Sequence, residues 1–128
     1  MNLPGDVWFT PEHFWVKKEN ARYLCGITDH AQQELGEVVF VEMPRPGVTV
    51  KKSERIGDVE SIKTISNLYA PLSGQIVEVN TLLEKKPELI NQSPYEKGWI
   101  LRMQASDESE LSGLLDTAGY QEFISHGE

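Results

Sequence analysis

Cysteine is nearly absent from this chain: the single thiol, Cys25, among 128 residues excludes an intrachain disulfide and any metal site built from several thiolates. It lies in the strand-like run Arg22-Tyr-Leu-Cys-Gly-Ile27, where a buried, inert state is expected and exposure is the test. Histidine is scarce as well. His13, His30 and His126 are dispersed in the sequence and lack companion cysteines or paired carboxylates, so they do not compose a zinc site or a nucleophile with its base. There is no Gly-rich phosphate loop and no serine elbow. No catalytic constellation is legible, and the chain is read as a non-enzyme. Long apolar runs are missing, and the opening Met-Asn-Leu-Pro-Gly-Asp lacks the charged and apolar regions of a signal peptide. A cytoplasmic location without a membrane partner is the expectation. Positive charge is in deficit: 12 Lys and Arg against 20 Asp and Glu leave a net charge of −8. Such a field repels nucleic acid and favours docking on basic faces of partner proteins, although solubility alone explains it equally well.

What is present reads as mainly β. The length suits a single domain over residues 1–128. Two strands are expected over residues 7–16 and 21–27, with Glu19-Asn20 as their turn. Thr28 then caps a short helix with Asp29 in its first turn, and Gly36 supplies the left-handed stop. A further strand is expected over residues 98–103. Ser106, with Asp107, Glu108 and Glu110, opens a helix whose apolar face is Leu111, Leu114 and Leu115. Thr117 caps a last helix in which Tyr120, Phe123 and Ile124 recur at helical spacing and dock on the core. The tail after Ser125 is expected to fray.

An internal echo organises the middle of the chain. Gly36-Glu-Val-Val-Phe-Val41 and Gly74-Gln-Ile-Val-Glu-Val79 share the form Gly-polar-apolar-Val-x-Val, and each runs into a turn region. Two copies are too few for a solenoid but suit a small barrel-like sandwich with quasi-two-fold halves. Between them lies Gly57-Asp-Val-Glu-Ser-Ile-Lys63-Thr-Ile-Ser-Asn-Leu-Tyr-Ala-Pro-Leu-Ser-Gly74. Ile56 and Val59 mark one strand, and Leu68, Ala70 and Leu72 mark the other. Residues 60–67 form the turn, which sets the amine of Lys63 at a hairpin tip. Alone, such a lysine is an ordinary solvated charge. Gly74 is expected to be structural, with a positive φ where the chain turns sharply after Pro71.

Several motifs together carry a resemblance that covers nearly the whole chain. Glu60-Ser61-Ile62-Lys63, Gly74 beyond it, Gly26-Ile-Thr-Asp-His-Ala-Gln32, Gly36-Glu-Val-Val-Phe-Val-Glu42, and Pro87-Glu-Leu-Ile-Asn91 running to Pro94-Tyr-x-x-Gly-Trp99 resemble the H-protein family of lipoyl carriers in order and spacing. Biotin carriers set their lysine between methionines, which Ile62 and Thr64 do not match. The resemblance implies a barrel-sandwich hybrid with a lysine-bearing hairpin and C-terminal helices, and lipoate attached covalently to Lys63. It implies that Glu60 and Ser61 help a lipoate ligase or lipoyl transferase recognise the tip, and that His30 lines the cleft that receives the arm.

Two departures bear on the cargo. Where the family has His-Glu-Trp this chain has His13-Phe14-Trp15, and where it has an aspartate after the lysine this chain has Asn67, so two carboxylates suited to a cationic cargo are replaced. Glu12 is a neighbour able to compensate in part. On this basis the lipoate-binding proteins of heterodisulfide-reductase-like sulfur oxidation rank slightly first, with the heterodisulfide-reductase-like complex as partner. The H-protein of glycine cleavage ranks second, with glycine decarboxylase, aminomethyltransferase and dihydrolipoyl dehydrogenase as partners. A scaffold without lipoate ranks last.

Overall fold

The computed structural model describes residues 3–126. Among the described residues nine strands and three α-helices follow in the order β1 (Trp8–Phe9), β2 (Phe14–Glu19), β3 (Arg22–Ile27), α1 (Asp29–Leu35), β4 (Val38–Glu42), β5 (Thr49–Val50), β6 (Arg55–Ser61), β7 (Ile65–Tyr69), β8 (Gly74–Val79), α2 (Leu89–Gln92), β9 (Leu101–Ala105) and α3 (Thr117–Ser125). Short 3-10 turns lie at Thr81–Glu84 and Glu108–Gly113. All pairings are antiparallel: one sheet runs β1-β2-β3-β9-β8-β5 and the other β4-β6-β7. The mainly β sandwich expected from the sequence is present, and the two echo copies fall in different sheets as β4 and β8.

Side-chain alternation along β2 and β3 decides where the core sits. Phe14 and Val16, with Tyr23, Cys25 and Ile27, point between the sheets and join Val41, Val59, Leu68, Ile76 and Met103. Trp15 and Leu24 point to the opposite face, where Val7, Phe9 and Tyr120 of α3 cover them. Both faces of this part of the sheet are therefore buried. That two-sided burial explains why residues 7–16 read as one apolar strand.

The structure divides that stretch. β1 ends at Phe9, and the chain reverses through Thr10 to His13 before β2 begins at Phe14. The Thr10 carbonyl accepts the His13 amide at 2.9 Å, the Thr10 hydroxyl accepts the Phe14 amide at 3.2 Å, and His13 has φ +69°. A predicted strand is thus a hairpin, because Thr10-Pro11 supplies turn chemistry. The β2–β3 turn falls at residues 20–21, since β2 runs on through Glu19. The closing strand begins at Leu101 rather than Gly98, whose amide donates to the Ser93 carbonyl at 2.8 Å in the turn that follows α2. Caps shift by one residue: Asp107, not Ser106, accepts the Ser109 amide, and Asp116, not Thr117, accepts the Gly119 amide. Thr117 instead donates to the Pro4 carbonyl at 2.7 Å. His126 closes α3, and the last two residues of the tail expected to fray lie outside the described residues. Among the described residues no helix is long and apolar enough to cross a membrane.

Candidate functional site

The hairpin around Lys63 is tighter than the sequence suggests. β6 and β7 pair down to Glu60 opposite Ile65, so the turn is residues 62–64 rather than 60–67. Ser61 closes it: its amide donates to the Thr64 carbonyl at 2.8 Å, while its hydroxyl oxygen accepts the amides of Lys63 at 3.2 Å and Thr64 at 3.1 Å. A serine that replaces two lost ladder bonds shortens the loop. The Ile62 amide donates to the Glu37 carbonyl at 3.0 Å, which moors the tip to the segment leaving α1.

Lys63 is exposed and, among the described residues, forms no ion pair. Its stem lies over Gly36, where a Cβ would stand 3.3 Å from Lys63 Cε. Gly36 therefore serves twice. It ends α1 at φ +80°, and its bare backbone leaves room for the lysine stem.

One residue beyond Lys63 a cleft of about 500 Å³ opens. Thr64 to Leu68 of the hairpin form one wall and His30, Ala31, Glu34 and Leu35 of α1 another; Glu12 and His13 come from the β1–β2 turn and Ile124 from α3. Ile27, Leu35, Ile65, Leu68 and Ile124 give it an apolar floor. Glu12 and Glu34 supply two carboxylates, and no lysine or arginine lines it. The three cleft-forming segments outside the hairpin meet at the Tyr120 hydroxyl. It lies 2.7 Å from His13 Nδ1 and 2.8 Å from the Thr28 Oγ that also caps α1 by accepting the Ala31 amide. Burial and then the neighbouring His30, 5.0 Å away ring to ring, hold the His13 imidazole below its ordinary pKa, and Glu34 opposes them.

The predicted site residues separate under this geometry. His30 lines the cleft, and Ser61 builds the turn beneath Lys63. Glu60 pairs across from both Phe40 and Ile65, one row behind the tip. Phe14 does not face the cleft: it is 1 % exposed and packs between the sheets, because β2 alternation turns it inward. Asn67 borders the cleft, but its amide is engaged elsewhere, accepting from Arg55 Nε at 3.1 Å and donating to the Tyr69 hydroxyl at 3.3 Å. Sequence reasoning missed His13, Glu34 and Ile124, and mentioned Glu12 only as a neighbour. His13 and His30 are seventeen positions apart in the chain, and nothing local signals their approach. Cys25 is buried, and burial pushes its thiol far above the ordinary range.

A small two-sheet sandwich that presents an exposed hairpin lysine beside a sheltered, part-apolar cleft is the architecture of a carrier for a covalently attached acyl arm. The exposed amine fits amide attachment, and the apolar floor fits a hydrocarbon arm ending in sulfur. A family model described as glycine cleavage H-protein matches residues 7–127. The glycine cleavage system H protein of Oceanobacillus iheyensis is 51% identical over 124 residues, covering 97% of this chain and 98% of that one. That of Symbiobacterium thermophilum is 51% identical over 126 residues, with 98% of each chain covered. The crystal structure of a glycine cleavage system H protein from Mycobacterium marinum superposes with a TM-score of 0.86 at 37% identity over 98% of both chains. The chain belongs to the glycine cleavage H-protein family. It is a non-catalytic lipoyl carrier, and members of the family hold lipoate covalently on a lysine.

Proposed function

We propose that Lys63 is the lipoyl attachment point and that the 128 residues act as one carrier domain of a glycine cleavage system. The observation that carries this reading is the exposed Lys63 amine, without an ion pair among the described residues, one residue from a cleft lined by Glu12 and Glu34 and by no lysine or arginine. Lipoate would supply a dithiolane that opens on reduction to hold the aminomethyl group passed from glycine decarboxylase to aminomethyltransferase, with dihydrolipoyl dehydrogenase restoring the disulfide. The chain's own residues do the rest. Ser61 and the Glu37 carbonyl fix the tip, so that the tether acts as a high effective concentration at each partner. Ile65, Leu68 and Ile124 shelter the arm's end from water, and the two glutamates favour a cation there.

The sulfur-oxidation reading ranked first from sequence, and it rested on Phe14 and Asn67. Phe14 packs in the core, and Asn67 borders the cleft with its amide engaged by Arg55, while Glu12 and Glu34 keep two carboxylates in the cleft lining. The relatives described above bear the glycine cleavage name, and the glycine reading takes precedence. Its test is product formation from glycine with the partner enzymes supplied. The lipoylated wild type should sustain turnover. Glu12→Gln with Glu34→Gln should lower it about tenfold, the scale of a charge-assisted contact worth about 1.4 kcal/mol. A wild type inert with active partner enzymes contradicts the reading.

A further inference from the structure

Five large apolar side chains of the described residues are exposed, and four belong to one small region: Val39 at 48%, Phe40 at 54%, Ile62 at 71% and Ile65 at 62%. Their placement is not scattered. Phe40, Glu60 and Ile65 form a single row across β4, β6 and β7, and side chains directly opposite in antiparallel strands share a face. Val39 is the extra residue at the β4 irregularity beside that row, and Ile62 stands next to Lys63 on the tip. The next row on the same face is Glu42, Asp58 and Asn67. Arg55 ties all three strands together there, bonding Glu42 at 2.9 Å, Asp58 at 3.0 Å and Asn67 at 3.1 Å. The apolar row therefore rests on a stapled sheet and is preformed.

Isolated exposed apolar residues need no explanation, but a contiguous rigid group of them marks a contact surface. We infer that Val39, Phe40, Ile62 and Ile65, with Glu60 among them, form the docking platform for the enzyme that acylates Lys63. Which partner fits follows from reach. An acylating enzyme must bring its activated acyl group to bonding distance of the lysine amine, so it covers the surface around the tip before any arm exists. Enzymes acting later meet the far end of a long tether and need not touch this row. Charge agrees: Glu37 and Glu60 border the patch on a chain of net charge −8, which favours a partner with basic groups around its site for an acidic acyl-adenylate. The inference rests on Lys63 being the acylated residue.

The test measures initial rates of lipoyl transfer by a purified lipoate ligase against carrier concentration, read by intact mass, for wild type, Val39→Ser, Phe40→Ser and Ile62→Ser. Each variant should lower kcat/KM about tenfold through KM, the scale for truncating a central contact residue. Thermal melts should match the wild type, because the substituted side chains are exposed. A second measurement separates docking from chemistry. Lys63→Arg protein cannot be acylated and should inhibit modification of the wild type by competition; Lys63→Arg with Phe40→Ser should lose that inhibition. Unchanged kcat/KM in all three variants overturns the inference. So does an unchanged rate together with weakened binding to glycine decarboxylase, which would assign the platform to that partner. Failure of the wild type to gain mass, or a gain that survives Lys63→Arg, would instead overturn the attachment site itself.

Discussion

Gly74 shows how one residue can carry a structural demand. It opens β8 at φ +154°, and a Cβ there would stand 2.1 Å from the Gln104 carbonyl oxygen, on the neighbouring β9. Neither the backbone conformation nor the space admits a side chain. Gly74→Val should therefore destabilise the fold by about 3 kcal/mol or more, combining backbone strain with overpacking, as a shift in the urea midpoint. His13 makes a different prediction. Its folded-state pKa lies below the ordinary 6.5, so as the pH falls below about that value the unfolded chain binds the proton first. Stability should then fall from pH 7.5 to pH 5.5. His13→Asn, which tolerates the φ of +69°, should flatten that part of the profile in denaturant melts. An equally steep decline in the variant would locate the titration elsewhere. At the same scale, Phe14 marks the limit of reasoning from a family pattern: the motif aligns it with a carboxylate, but only the strand's facing shows that a glutamate here would enter the core.

Among the elements, α1 does the most to shape the site. Thr28 caps it and also meets the Tyr120 hydroxyl, so one side chain joins the helix start to α3. Thr28→Ala should cost about 1–3 kcal/mol, from the lost cap and the weakened buried hydroxyl contact. Tyr120→Phe should cost less, since the cap remains; equal losses in thermal melts would mean that the cap contributes nothing. The Thr28 cap, the Asp29 first turn and the Gly36 stop were legible because helix ends are written in local chemistry. The Lys63 hairpin was legible for the same reason, though its turn was drawn too long, since a serine closing the loop leaves no periodic signal. The β1–β2 turn was hidden by burial on both faces, and with it went His13 and the position of Glu12 in the cleft. Contacts between residues distant in sequence, such as His13 with Tyr120, leave no local trace.

For the molecule as a whole, the sandwich serves to hold one amine out while keeping a sheltered cleft beside it. The pairing of β4 with β6 and β7 presents the tip, and α1, the β1–β2 turn and α3 enclose the space next to it. Twelve basic residues are spread through the chain, so the claim that Lys63 alone bears the arm is demanding. Intact mass before and after incubation with a lipoate ligase and its substrates tests it most directly. The wild type should gain one lipoyl group, and Lys63→Arg should gain none while melting at the same temperature. A gain that persists in Lys63→Arg, or more than one group on the wild type, would contradict the account.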